Sequence, residues 1–61
     1  MTMSGKELVS LLLKNRWTLD RISGSHYILR KDDQTLSIPV HGNQALKPGL
    51  LNAILKKAGL K

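Results

Sequence analysis

Between Trp17 and Val40 most apolar and polar residues alternate with a period of two, in three stretches separated by Ser23-Gly24-Ser25 and Lys31-Asp32-Asp33-Gln34. A strand projects successive side chains to opposite faces, so this pattern predicts three short strands, each half-buried. They span Trp17–Ile22, His26–Arg30 and Thr35–Val40, joined as an antiparallel sheet. Trp17 and Leu19 face inward on the first strand, with Arg21 in the same phase. Tyr27 and Leu29 face inward on the second, and Leu36, Ile38 and Val40 on the third.

Directly opposed residues of an antiparallel pair share a face, which tests these assignments against one another. A three-residue loop, Ser23-Gly24-Ser25, pairs Ile22 with His26, Arg21 with Tyr27 and Leu19 with Leu29, and every face agrees; a two-residue loop breaks the agreement. Gly24 supplies the positive φ that such a loop needs. The four-residue loop Lys31–Gln34 also preserves the faces, and its register sets Pro39 opposite His26. Proline lacks a donor and suits the end of an edge strand.

Helical signals flank this region. Ser4-Gly5-Lys6-Glu7 has the spacing of a capping box, followed by an apolar face of Leu8, Val9, Leu11, Leu12 and Leu13 that closes near Asn15. Pro48 opens a second helix, with Leu50, Leu51, Ile54, Leu55 and Ala58 as its buried face. Lys56 and Lys57 complement its C-terminal dipole, and Gly59 stops it. The order is helix, three strands, helix, an α+β fold filling residues 1–61 as one domain. Two helices on a three-stranded antiparallel sheet cover one face and leave the other open. That open face carries His26, Ile28, Arg30, Thr18, Asp20, Thr35 and Ser37, with His26 on the central strand.

Composition narrows the function. Twelve leucines and four isoleucines build an aliphatic core, and the absence of cysteine excludes a disulfide framework or a thiolate metal site. The apolar stretch near the N-terminus is too short for a signal-peptide core or a membrane span, so a soluble, cytoplasmic protein with no membrane partner is expected. A net charge of +6 favours polyanionic partners, chiefly nucleic acid, although the same charge also serves solubility.

Histidine exchanges protons near neutral pH, and RNA supplies its own nucleophile in the 2′-hydroxyl. His26 is therefore the candidate acid–base catalyst, with Arg30 and Lys31 as candidates to steady phosphorane charge. Ser25 bonds locally to backbone or contacts phosphate. Asp20, diagonal to His26 in this register, either orients the imidazole or is an ordinary exposed carboxylate. His41 could serve as a second acid, but it reads better as a loop histidine turning with Gly42. Two histidines without cysteine or paired carboxylates do not build a metal site, and no cofactor is expected. Trp17 and Tyr27 read as core, not as a base-stacking platform. The residues alone leave open a ribonuclease, a non-catalytic RNA-binding module, and a domain whose charge serves an acidic protein partner.

The string Gly24-Ser25-His26, then Arg30, Ile38-Pro39-Val40-His41, Leu46-Lys47-Pro48-Gly49-Leu50 and Ile54-Leu55-Lys56-Lys57-Ala58-Gly59-Leu60 resembles the HicA toxins of HicAB toxin–antitoxin systems. Glu7-Leu8 and Trp17 to Arg21 fit as well, so the resemblance covers nearly the whole chain. It implies a double-stranded-RNA-binding-like αβββα fold, messenger-RNA endonuclease activity, neutralisation by a HicB-type antitoxin, and His26 as the catalytic histidine. Domains that bind duplex RNA carry a lysine cluster at the start of the second helix. Here Lys47 alone precedes Pro48; it joins Ser25, Arg30 and Lys31 as an expected RNA contact, and single-stranded or loop RNA is favoured over duplex.

Overall fold

The computed structural model describes residues 2–60. Helix α1 (Gly5–Lys14) is followed by β1 (Thr18–Ser23), β2 (His26–Lys31) and β3 (Gln34–Pro39), and then by α2 (Pro48–Lys57). The strands form an antiparallel sheet in the order β1-β2-β3, so the expected αβββα order holds and the His26 strand is central.

Helix α1 begins where its sequence dictates. The Ser4 side chain accepts from the Glu7 N–H at 3.1 Å, and a Glu7 carboxylate oxygen accepts from the Ser4 N–H at 2.9 Å. This reciprocal cap satisfies two otherwise free donors and contributes about 1 kcal/mol. The helix closes at Asn15, and Arg16 then turns the chain with φ at 72°, a left-handed conformation uncommon outside glycine. The Trp17 N–H donates back to the Leu12 carbonyl at 3.1 Å, which drops the indole into the core.

The core is aliphatic and runs between the helices and one sheet face. Leu8, Val9 and Leu12 of α1, Leu29, Leu36 and Ile38 of the sheet, and Leu51, Ile54 and Leu55 of α2 are buried together with Trp17, Leu46 and Ala58. Three leucines depart from expectation. Leu13 and Leu50, assigned to buried helix faces, are 45% and 42% exposed, and Leu19, assigned inward on the first strand, is 37% exposed. The helical pair lies on the flanks of apolar stripes, and Leu19 lies on an edge strand that the helices cover incompletely.

Pairing between β2 and β3 follows the expected register, with His26 opposite Pro39, Leu29 opposite Leu36 and Arg30 opposite Thr35. The ladder runs one pair further, to Lys31 opposite Gln34, because Asp32 takes a φ of 53° and closes a tight Asp32-Asp33 turn.

The first hairpin does not follow the expected register. Ser23 pairs with His26, Ile22 with Tyr27 and Arg21 with Ile28, around a two-residue Gly24-Ser25 turn in which Gly24 has a φ of 60°. Glycine at the first central position suits a primed turn, whose twist matches that of the flanking strands. The phase error this turn would create is absorbed by a bulge at Asp20, which restores Leu19 opposite Leu29. Strand β1 accordingly runs Thr18–Ser23 in place of Trp17–Ile22.

Candidate functional site

His26 is the first residue of β2, exposed, and fixed from two sides by backbone pairing to Ser23 and Pro39. The ladder continues past Pro39 through a Val40 N–H that donates to the Ser25 carbonyl at 2.8 Å. The Gly24-Ser25 turn and the end of β3 therefore hold the backbone beneath the imidazole, while the side chain faces solvent. Helix α1 backs this end of the sheet: Gly5 meets the Pro39 carbonyl so closely that a Cβ would overlap it. Ser4 in turn bridges Ala45, and the Leu46 N–H donates to the Met3 carbonyl at 2.7 Å. His26, the start of α1 and the chain leading to Lys47 thus occupy one end of the molecule.

The bulge changes the neighbours of His26. Ile22, expected beside it, is opposite Tyr27 instead, and Asp20, expected diagonal to it, is the unpaired residue of the bulge. Arg21 takes the diagonal position, opposite Ile28 on the same face as His26. In a regular strand adjacent side chains point to opposite faces. Here the Arg21 guanidinium donates to the neighbouring Asp20 carboxylate at 3.0 Å, an ion pair that the bulge makes possible by turning both residues to one side. The pair is exposed and worth little in stability. Its effect is to hold a guanidinium on the open face one diagonal step from the imidazole. Placing Arg21 inward, in phase with Trp17 and Leu19, hides this residue; a bulge beside a tight glycine turn is the signal that would have found it.

The other expected site residues divide between the two ends of the sheet. Arg30 shares the face of His26 but lies four residues along β2, roughly 13 Å away at about 3.3 Å per residue. Lys31 follows it at the far end. At that spacing neither shares the immediate surroundings of His26. Arg30 and Lys31 instead line a groove of about 510 Å³ with Arg16, Thr18, Leu19, Asp20 and Asp32. Lys47 is exposed at the N-cap of α2 and makes no side-chain capping bond. Ser25 is half-buried in the turn. His41 is exposed in the turn His41–Gln44, whose Gln44 N–H donates to the His41 carbonyl at 3.0 Å, the loop setting expected for it.

Fold and site together define a small basic αβββα protein whose one histidine in the sheet stands on the bare face of the central strand. The chain matches the family described as HicA toxin of bacterial toxin-antitoxin over residues 5–60. It belongs to the HicA toxin family, on the toxin side of a toxin–antitoxin pair. Searches of curated proteins and of solved structures return no match. Among the described residues no helix is long and apolar enough to cross a membrane.

Proposed function

We propose that this toxin is a metal-independent RNA endonuclease that cleaves messenger RNA in the cytoplasm, with His26 as its acid–base residue and a HicB-type antitoxin covering that residue at rest. The observation that carries the proposal is an accessible histidine on the uncovered face, held by backbone pairing on both sides, in a chain of the HicA family. The imidazole takes the proton of a ribose 2′-hydroxyl. The freed oxygen attacks the adjacent phosphorus, the bond from phosphorus to the 5′-oxygen breaks, and that oxygen takes up a proton. The products are a 2′,3′-cyclic phosphate and a 5′-hydroxyl end.

Arg21 is the cation that the register brings nearest His26, and it supplies the charge that an equatorial phosphorane oxygen needs. On reaching phosphate it exchanges one carboxylate, that of Asp20, for a diester of equal charge whose negative charge grows only as the phosphorane forms. Arg21→Gln is expected to lower kcat about tenfold while KM changes little, because the contact strengthens as charge develops.

The deciding experiment incubates the purified protein with unstructured RNA in excess chelator and identifies the product ends. Scission to cyclic-phosphate ends is the expected result. Stable binding without scission would make the chain a non-catalytic RNA-binding module, and scission restored only by added metal would remove the metal-free mechanism.

A further inference from the structure

We infer that the groove at the far end of the sheet is a second phosphate-binding subsite, which holds the RNA chain several nucleotides from the bond being cut. The inference rests on the RNA-cleaving reading above and extends it to parts of the surface that His26 cannot serve.

The groove of about 510 Å³ is walled by Arg16, Thr18, Arg30 and Lys31. A second depression of about 400 Å³ shares Arg16 and Lys31 with it and adds Lys14 and Asn15 from the end of α1, with Ala58, Gly59 and Leu60 forming its other wall. Lys14, Arg16, Arg30 and Lys31 thus form one continuous basic surface around the start of β1 and the end of β2. Two carboxylates oppose them, Asp20 and Asp32. Asp20 is already bonded to Arg21, so the cations stay in excess. Leu19 is the sole apolar side chain lining the larger groove, which suits a polyanion and not an apolar ligand.

Arg16 joins the two depressions, and it is held there with φ at 72°. Left-handed backbone at a residue other than glycine costs free energy and persists where the surroundings impose it. Glycine would make this turn without strain; arginine makes it with a guanidinium delivered into the groove.

Spacing fixes what the groove can hold. Arg30 lies roughly 13 Å from His26 along β2, and a stacked strand advances about 3.4 Å per nucleotide. The groove therefore meets a phosphate about four stacked nucleotides from the one at His26, or fewer if the strand is extended. Arg21, between the two ends on the same face, marks the path. A trinucleotide reaches His26 but not the groove, whereas a dodecamer reaches both.

The test compares the wild type with Arg16→Gly and with the triple variant Arg16→Gly, Arg30→Gln, Lys31→Gln. The glycine substitution removes charge at a position whose backbone favours glycine, so the fold is retained, and thermal melting checks this. Two quantities are read: the ratio of kcat/KM on a single-stranded dodecamer to that on a trinucleotide, and the salt dependence of affinity for a 2′-O-methyl dodecamer, which cannot be cleaved. In the triple variant the ratio is expected to fall about tenfold, and the salt slope to become shallower by about 0.7, the value for one lost phosphate contact on a single strand. Arg16→Gly alone should give part of both effects. Equal losses on the two substrates, or an unchanged ratio and slope, would overturn the subsite while leaving the nuclease reading intact. A wild type that binds without cutting would overturn the nuclease reading, and the salt slope would still decide the subsite.

Discussion

His26→Ala is expected to lower kcat/KM for RNA cleavage about a thousandfold and to abolish growth inhibition when the toxin is expressed without its antitoxin. A positioned general base contributes between about a hundred- and ten-thousandfold, and no second histidine lies on the open face to replace it. The melting temperature should move by no more than a few degrees, because the imidazole is exposed and makes no side-chain hydrogen bond among the described residues. That separation makes the variant informative: activity falls while the fold stays. The loss should appear in kcat, with affinity for uncut RNA nearly unchanged, since the groove cations, and not His26, are proposed to hold uncut RNA. Undiminished cleavage by a folded His26→Ala protein would move the chemistry to another residue.

Most of what positions His26 was legible in the sequence because it depends on local rules. The capping box named the start of α1, Pro48 named the start of α2, and the alternation in β2 put His26 outward and Leu29 inward. The second hairpin was legible too, since its loop length and face assignments agree without any irregularity. The first hairpin was not. Face matching on a regular ladder forbids a two-residue turn between Ser23 and His26, and the argument is sound for a regular ladder. A bulge at Asp20 adds one residue to one strand and reverses the phase between Leu19 and Arg21. The alternation marks this only by the consecutive polar pair Asp20-Arg21, after which the apolar phase passes from Leu19 to Ile22, opposite Tyr27. The same phase change concealed Arg21, the cation that the register sets diagonal to His26. Leu13 and Leu50 were misassigned for a different reason: periodicity gives the width of an apolar stripe but not the width of the surface that receives it.

Gly5→Ala is expected to destabilise the protein by roughly 2–3 kcal/mol and to lower its melting temperature by roughly 10–20 °C, against the sign that helix propensity alone would give. Alanine is favoured over glycine within a helix by up to about 1 kcal/mol, and Gly5 is the first residue of α1. Here the added methyl would overlap the Pro39 carbonyl oxygen and lie 3.1 Å from its carbon and 3.2 Å from the Val40 Cα. All three are backbone atoms that no rotamer change can move. Relief requires the end of α1 to withdraw from β3, and α1 is tied in place by its cap, by the Ser4 bridge to Ala45 and by Leu8 and Leu12 in the core. Otherwise β3 must yield, and with it the pairing of Pro39 to His26 and the Val40 bond to Ser25. The same variant should therefore cleave RNA more slowly even at temperatures where it remains folded, since a displaced Pro39 shifts the backbone that carries the imidazole. Thermal melting gives the first effect, and single-turnover cleavage well below the transition gives the second. A melting temperature at or above that of the wild type would mean that the helix end withdraws freely and that the contact between α1 and Pro39 does not hold His26 in place.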